Sequence, residues 1–417
     1  MTPPERLWNR SFLIWWLGSA QSALGTALSG IAMSFLVLHQ TGSAGAMGVN
    51  LALALLPGLL SPLFGTLVDR LPLKPPLILG NLLRGALQLG IGLAALRGEV
   101  PLEAIYAASL LTGLIGAFYS PAAMGVTPRL VPATQLQRAA GLMQGSAQTM
   151  QLAGLVGGGM LVGTLGSAPA LILDGLSFLL FAALLPLVRL PARPAAAAQQ
   201  GFWTAFRAGL VYVRRSPLTL GLPALAFLIN ASFAPLEMLL PGRMGQLGVG
   251  AAGFGLFLGL VLGGLAAGSF ALAGLGERVD VRRLSVWGLV GMALSVLALA
   301  LSQTAAQMYV LAALLGLFNA ATNVSIGVIF QRRIRPEFYG RVGSLLNMVG
   351  TAGQPLALLA LSPLADRVPI GVIFGVAGVT TLLAAGVWAG LLRRESADLT
   401  GTTDAASPVS APAGFQG

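Results

Sequence analysis

The chain has no cysteine, a single histidine, and charged side chains at only 9% of its 417 positions. Without cysteine there is no disulfide framework and no thiolate metal site. With one histidine and no clustered acids inside the apolar runs, neither a nucleophile–base set nor a ligand set assembles. No catalytic residue, metal or cofactor is therefore expected. A Gly-x4-Gly-Lys-Ser/Thr phosphate loop is also missing, so nucleotide hydrolysis is not the expected energy source. A soluble globular domain carries about 25% charged residues, and a chain so poor in charge is built to face lipid. Long segments of alternating apolar and polar residues are lacking too, which argues against a membrane β-barrel.

What is present is apolar: 56% of the residues are hydrophobic and 56 are glycine. Only internally bonded backbone is tolerated in hydrocarbon, and a helix needs about 20 apolar residues to cross it. Twelve such segments are predicted, over 12–38, 45–68, 76–96, 101–123, 139–165, 168–188, 217–240, 250–275, 284–302, 306–331, 340–365 and 369–392. The first is too long for a signal-peptide core and is expected to be retained. The fold class is therefore an all-α polytopic membrane protein with the lipid bilayer as a partner. An even number of crossings puts both termini on one side. Of the 24 Lys and Arg, twenty fall on that side and only Arg97, Arg243 and Arg367 on the other, with Arg84 inside the third segment. The positive-inside bias then makes both termini cytoplasmic in the cell (inner) membrane. The net charge of +11 comes from single and paired bases between apolar runs rather than basic blocks interleaved with aromatics. No nucleic-acid partner is expected.

Domain organisation follows from the spacing: an N-terminal six-helix bundle over 1–190, a cytoplasmic linker over 191–216, a C-terminal six-helix bundle over 217–395, and a disordered cytoplasmic tail over 396–417. In the linker, Phe202, Phe206, Leu210 and Val213 fall near one helical face with Arg207, Arg214 and Arg215 close by. This predicts an amphipathic helix along the inner membrane surface, the alternative being a solvated linker.

The two halves echo each other. Gly65-Thr66-Leu67-Val68-Asp69-Arg70-Leu71-Pro72-Leu73-Lys74 turns between two apolar runs, and Glu277-Arg278-Val279-Asp280-Val281-Arg282 repeats its order of acid, base and aliphatic half a chain later. Pro132…Arg138 before the fifth segment is matched by Pro336…Arg341 before the eleventh. Gln144, Gln148 and Gln151 share one face of the fifth segment, and Asn347, Thr351 and Gln354 share the corresponding face of the eleventh. Matched polar stripes in two repeats suit a transporter whose site lies between them near the midplane. A channel would instead need charged rings or a carbonyl filter.

These features resemble the major facilitator superfamily, in its drug/proton-antiporter branch. Asn9-Arg10-Ser11-Phe12, Pro128-Arg129-Leu130-Val131-Pro132, Leu173-Asp174-Gly175-Leu176-Ser177-Phe178 and Pro336-Glu337-Phe338-Tyr339-Gly340-Arg341-Val342 resemble the subgroup of macrolide and siderophore exporters. Pro72 and Leu73 stand where the family's loop carries Gly and Arg. The resemblance implies a monomeric secondary transporter that exports amphipathic small molecules, drug-like or siderophore-like, by alternating access with proton antiport. The alternative is a proton-independent or uptake carrier for a dedicated metabolite. It also implies a gating loop of Gly65, Asp69, Arg70 and Lys74, with Glu277 and Arg278 in the copy. Asp69 would meet the start of the eleventh helix near Arg341 and lock the cytoplasmic side of an outward-open state.

Ionisable groups within the bilayer are costly and mark function. Glu237, following Pro235, is the first candidate for proton coupling, with pairing to Arg243 as the alternative. Asp174 is the second, although it and Arg84 sit on segments that the family plan places outside the cavity, where they would bond neighbouring helices. Gln21, Asn230, Asn319 and Asn323 join Gln144, Gln148, Gln151, Asn347 and Gln354 as candidate cavity amides, with Tyr119 as an aromatic wall. The alternative for each amide is a bond to a neighbouring helix. Such a mainly apolar cavity suits bulky amphipathic compounds.

Overall fold

A computed structural model gives the architecture and describes residues 6–68, 71–98, 100–191, 202–214, 216–335 and 338–404. Twelve long helices follow one another. The first half comprises α1 (Arg10–Thr41), α2 (Ala44–Leu55, carried through a 3-10 turn at Leu56–Leu60 into Ser61–Val68), α3 (Lys74–Arg97), α4 (Leu102–Met124), α5 (Leu136–Leu165) and α6 (Ser167–Leu184). The second comprises α7 (Pro217–Gln246), α8 (Gly250–Leu275), α9 (Val281–Leu301), α10 (Ala305–Arg333), α11 (Tyr339–Ala365) and α12 (Ile370–Asp404). Among the described residues, eleven helices are long and apolar enough to cross a membrane. The remaining one, α5, is long enough but is diluted by Gln144, Gln148, Gln151 and several glycines. α12 runs on to Asp404, past the expected start of the tail, and residues 391–400 hold no Gly or Pro that would end it. Residues 405–417 lie outside the described residues.

Local chemistry sets the helix ends. Asn9 caps α1 by accepting from Phe12 N at 2.9 Å, and its amide donates to Leu130 O at 2.7 Å, tying this start to the segment after α4. At the far end Gly42 takes a left-handed φ of 65° and its N–H closes on Leu38 O. Thr304 and Gln307 form a capping box at the start of α10.

The helix pairings make the internal repeat visible. Within the first half α1 packs on α5 and α6, α3 on α6 and α4, and α2 on α4. In the second half α7 packs on α11 and α12, α9 on α12 and α10, and α8 on α10, which is the same scheme six helices later. The main contacts between halves are α2 with α11 and α5 with α8, and exchanging the halves turns one of these pairs into the other.

The buried apolar clusters differ between the two ends of the bundle. At the end holding the α1–α2 and α7–α8 turns, one cluster joins both halves, with Ile31, Phe35 and Met47 packed among Met238, Met244, Phe254 and Phe257. At the opposite end, where the basic residues gather, each half has its own cluster. Phe12, Trp15, Leu77, Val126 and Phe181 form one, and Leu218, Leu222, Leu289, Ile329 and Trp388 the other. The halves are thus fused at one end and parted at the other.

Between α6 and α7 a helix spans Phe202–Val213, as the sequence periodicity predicts. Its described apolar face meets protein. Phe206, Leu210 and Val213 join Ile334, Val342 and Leu345 at the junction of α10 and α11. Tyr212 stacks on Phe338 at 4.3 Å, and its hydroxyl accepts from Arg335 N at 3.2 Å. An apolar face finds its burial wherever a complementary surface is within reach, and here the ends of α10 and α11 supply one.

Candidate functional site

Two cavities lie within the bundle, the larger of them between the halves. The larger, about 620 Å³, is walled by α1, α2, α5, α7 and α8, and carries Ser22, Thr26, Ser34, Gln151 and Glu237 among apolar neighbours. The smaller, about 500 Å³, lies among α1, α2, α3, α4 and α6 and reaches α11. It is lined by Ser29, Arg84, Gln88, Thr112, Asp174 and Asn347, with others. Thr26 and Leu55 line both.

The closed end is held by close backbone approach and one carboxylate. Gly159 of α5 lies so near α8 that a Cβ there would stand 2.5 Å from Ala251 O and 3.0 Å from Gly255 Cα. At Gly45 of α2 a Cβ would collide with Ser362 O of α11. Asp366, at the end of α11, crosses to the start of α2. Its carboxylate accepts from Ser43 Oγ at 2.5 Å, Ala44 N at 2.8 Å and Gly45 N at 3.3 Å. The first turn of a helix has unsatisfied N–H groups and a positive dipole end, so an acid from the other half completes it. At the parted end Gly141 and Gly145 of α5 face open space.

The sequence candidates divide among several environments. Glu237 is half-buried on the larger cavity, and Gln354 of α11 faces it across the α7–α11 pair. It does not pair with Arg243, which donates to Gln246 Oε1 at 3.3 Å and Ser302 O at 3.0 Å. Gln144, Gln148 and Gln151 are exposed along α5, and Gln151 reaches the larger cavity, while Asn347 and Thr351 of α11 reach the smaller. Gln21 instead donates to Ser177 O at 3.3 Å, bracing α1 on α6, and Asn230 donates to Ala226 O one turn back. Asn323 Nδ2 donates to the backbone O and the side-chain Oδ1 of Asn319, one turn back on α10. None of these four lines either of these two cavities: α10 packs on α8 and α9, and single amides bond locally.

Arg84 and Asp174, expected away from the cavity, both stand on the wall of the smaller one. Tyr119 supports Arg84 from below, its ring centroid 4.9 Å from the guanidinium carbon. Of the gating loop, Asp69 and Arg70 and the side chain of Glu277 lie outside the described residues. Gly65 ends the lipid-crossing part of α2, Lys74 donates to Pro186 O at 3.1 Å, Arg278 is exposed, and Arg341 lies over the Phe338 ring at 5.6 Å. Asp366 was not among the residues the sequence singled out. Its only signal is an acid in a turn, and the groups it binds are more than three hundred residues away.

The model of the transmembrane secretion effector family matches residues 2–395. Macrolide efflux protein A of Streptococcus pyogenes is 24% identical over 390 residues, covering 91% of this chain and 95% of that protein. The enterobactin exporter EntS of Escherichia coli O1:K1 is 26% identical over 373 residues, covering 87% and 88%. Among solved structures, the nucleoside transporter NupG superposes with a TM-score of 0.75 at 12% identity, covering 92% of this chain and 99% of its own. A bacterial homologue of the iron transporter ferroportin, in an inward-facing state, gives 0.70 at 18%, covering 92% and 98%. Two six-helix halves around a shared cavity, and a family match over nearly the whole chain, place this integral membrane protein in the transmembrane secretion effector family of the major facilitator superfamily, a family of transporters.

Proposed function

We propose that this chain is a monomeric secondary exporter of amphipathic small molecules, drug-like or siderophore-like, working by alternating access and proton antiport. The observation that carries this reading is the cavity between the halves, sealed at one end by Asp366 and Gly159 and parted at the end where the basic residues gather. With that basic end and both termini in the cytoplasm, the cavity receives substrate from inside the cell. The halves, residues 1–190 and 217–395, then rock about it while the 191–216 segment spans between them. Exporter names among the relatives support the direction, and the mainly apolar walls with scattered hydroxyls and amides suit bulky amphipathic compounds. Glu237 is the proposed proton carrier of the larger cavity, since it is the acid on that wall and has an amide, Gln354, rather than a base facing it. On return, Asp69 and its loop close the cytoplasmic side against the start of α11.

The test is efflux from cells lacking their main pumps, loaded with fluorescent cationic dyes and a macrolide. Wild type is expected to expel them until a protonophore is added, and Glu237→Gln to lose that energy-dependent component. Efflux that survives the protonophore would sink the antiport reading in favour of a proton-independent carrier.

A further inference from the structure

The smaller cavity presents a cation to a ligand and hides the acid beside it. Asp174 of α6 is 1% exposed, both of its oxygens are sealed among protein atoms, and Oδ1 lies against Gly25 of α1. Nothing in the cavity can touch that carboxylate. Arg84 of α3 is placed differently. Its guanidinium lies beside two aromatic rings, 4.9 Å from Tyr119 and 5.8 Å from Phe178, and its Nε is sealed and unpartnered. The two Nη groups are not sealed, and the residue forms part of the cavity wall. Among the described residues no ion pair joins Arg84 to Asp174 or to another acid. Gly116 of α4 makes room for the tip of the side chain, since a Cβ there would stand 2.6 Å from Nη2. Gln88, one turn along α3, and Thr112 of α4 line the same cavity, and among the described residues neither side chain makes a hydrogen bond. A cation held inside the bundle without a counter-ion is costly, and donors without acceptors add to that cost.

We propose that Arg84 anchors a subsite for the carboxylate of an amphipathic anion, with Gln88 and Thr112 as neutral donors beside it. The two Nη groups of a guanidinium present N–H donors spaced to match the two oxygens of a carboxylate. With Nε sealed, end-on approach through the Nη pair is the geometry that remains. The flanking rings hold the guanidinium in place, so little side-chain freedom is lost when the anion arrives. A volume of about 500 Å³ takes an apolar body as well as its carboxylate, and Ala54, Leu55, Leu59 and Phe178 supply the apolar wall. Arg84 and Asp174 are the charged residues of this wall. Asp174 acts on a ligand only through its field, whereas Arg84 acts by contact, and Coulomb energy falls with distance. A cation is disfavoured, because the charge it would touch there is Arg84. The inference rests on the export reading and adds anions to the compounds exported, but it is read by binding and needs no transport.

The experiment uses purified full-length protein in phosphatidylcholine nanodiscs, titrated with dansylglycine and with dansylglycinamide, which keeps the fluorophore and removes the charge. Signal from empty nanodiscs is subtracted. At about pH 7.5, where the carboxylate is ionised, wild type is expected to prefer the acid by about tenfold. It should bind dansylcadaverine, a cation with the same fluorophore, no more tightly than the amide. Arg84→Gln is expected to bind acid and amide alike, with the affinity that wild type has for the amide. Gly116→Ala retains the charge but presses on Nη2, so it should weaken binding of the acid alone; it decides the matter if Arg84→Gln fails to fold. Arg97→Gln removes a base from the last turn of the same helix and should keep the preference. Wild type that binds acid and amide equally, binds neither, or prefers dansylcadaverine overturns the assignment. So does a preference that survives in folded Arg84→Gln, or in Gly116→Ala where Arg84→Gln does not fold, and so does its loss in Arg97→Gln. Preference without cellular efflux would leave the subsite standing while export fails, and efflux without preference would do the reverse.

Discussion

Removing the carboxylate of Asp366 should loosen the closed end of the molecule. In the structure that side chain completes the first turn of α2 through Ser43 Oγ, Ala44 N and Gly45 N, although it belongs to α11 in the other half. Replacing a capping acceptor by alanine costs about 0.5–2 kcal/mol in a helix. Asp366 is exposed, so water competes for these donors and a value of about 1 kcal/mol is appropriate. Here the cost falls on the conformation with the outer end closed, because the cap exists only when α2 and α11 are together. The ratio of closed to open outer ends should therefore fall about fivefold in Asp366→Ala, since 1.4 kcal/mol is tenfold. Asp366→Asn keeps a good capping acceptor and loses only the charge, and its effect should be smaller. The absence of cysteine simplifies the assay, because spin labels can be attached at Glu103→Cys in one half and Ala306→Cys in the other without removing native thiols. Both positions are exposed near the closed end. The long-distance population should rank wild type below Asp366→Asn below Asp366→Ala. Unchanged distances in Asp366→Ala, or a larger effect in Asp366→Asn, would refute the reasoning.

The same label pair should respond to Gly159→Val, whose new side chain would press on the backbone of Ala251 and Gly255. Overpacking of about 1–3 kcal/mol is expected to part α5 from α8 there, while Gly163→Ala, with ordinary contacts at 3.6 Å, should leave the distances unchanged. Tyr212→Ala removes the stack on Phe338 and the acceptor for Arg335 N. It should free the helix between the halves by about 1–2 kcal/mol, seen as faster tryptic cleavage at Arg207 and Arg214 with the rest of the chain intact.

Most of the architecture could be read in the sequence because lipid leaves the chain so few options. Apolar runs of spanning length, a repeated charged turn and one-sided bases give twelve helices in two halves without knowledge of any contact. Small residues marked the seams as well, though not their partners: Gly158 meets Leu28 of α1, whereas Gly159, one position on, meets α8. The site was harder to read. Spacing put Asn319 and Asn323 on one face, but the same i, i+4 spacing lets them bond each other, and nothing local distinguishes that from a cavity wall. Arg84 and Asp174 were visible as charges in apolar segments, but the glycines of α1 and α4 that pack against them are distant in sequence. The helix between the halves showed its apolar face in its periodicity, while the surface it covers is assembled from the ends of α10 and α11.

The glycine contact between α5 and α8 also bears on how a hydrophobic compound reaches the cavity. Where Gly159 lies against Gly255 the two backbones touch and leave no slot for an acyl chain or a ring. Nearer the basic end of α5, Gly141 and Gly145 have nothing packed against them. A molecule dissolved in the leaflet beside the sealed stretch meets a wall, so sideways entry along this helix pair is left to the opposite leaflet, on the basic side. For compounds that partition into lipid, the leaflet they occupy then governs access more than their concentration in water does, and compounds slow to cross the bilayer midplane are screened by the side from which they arrive.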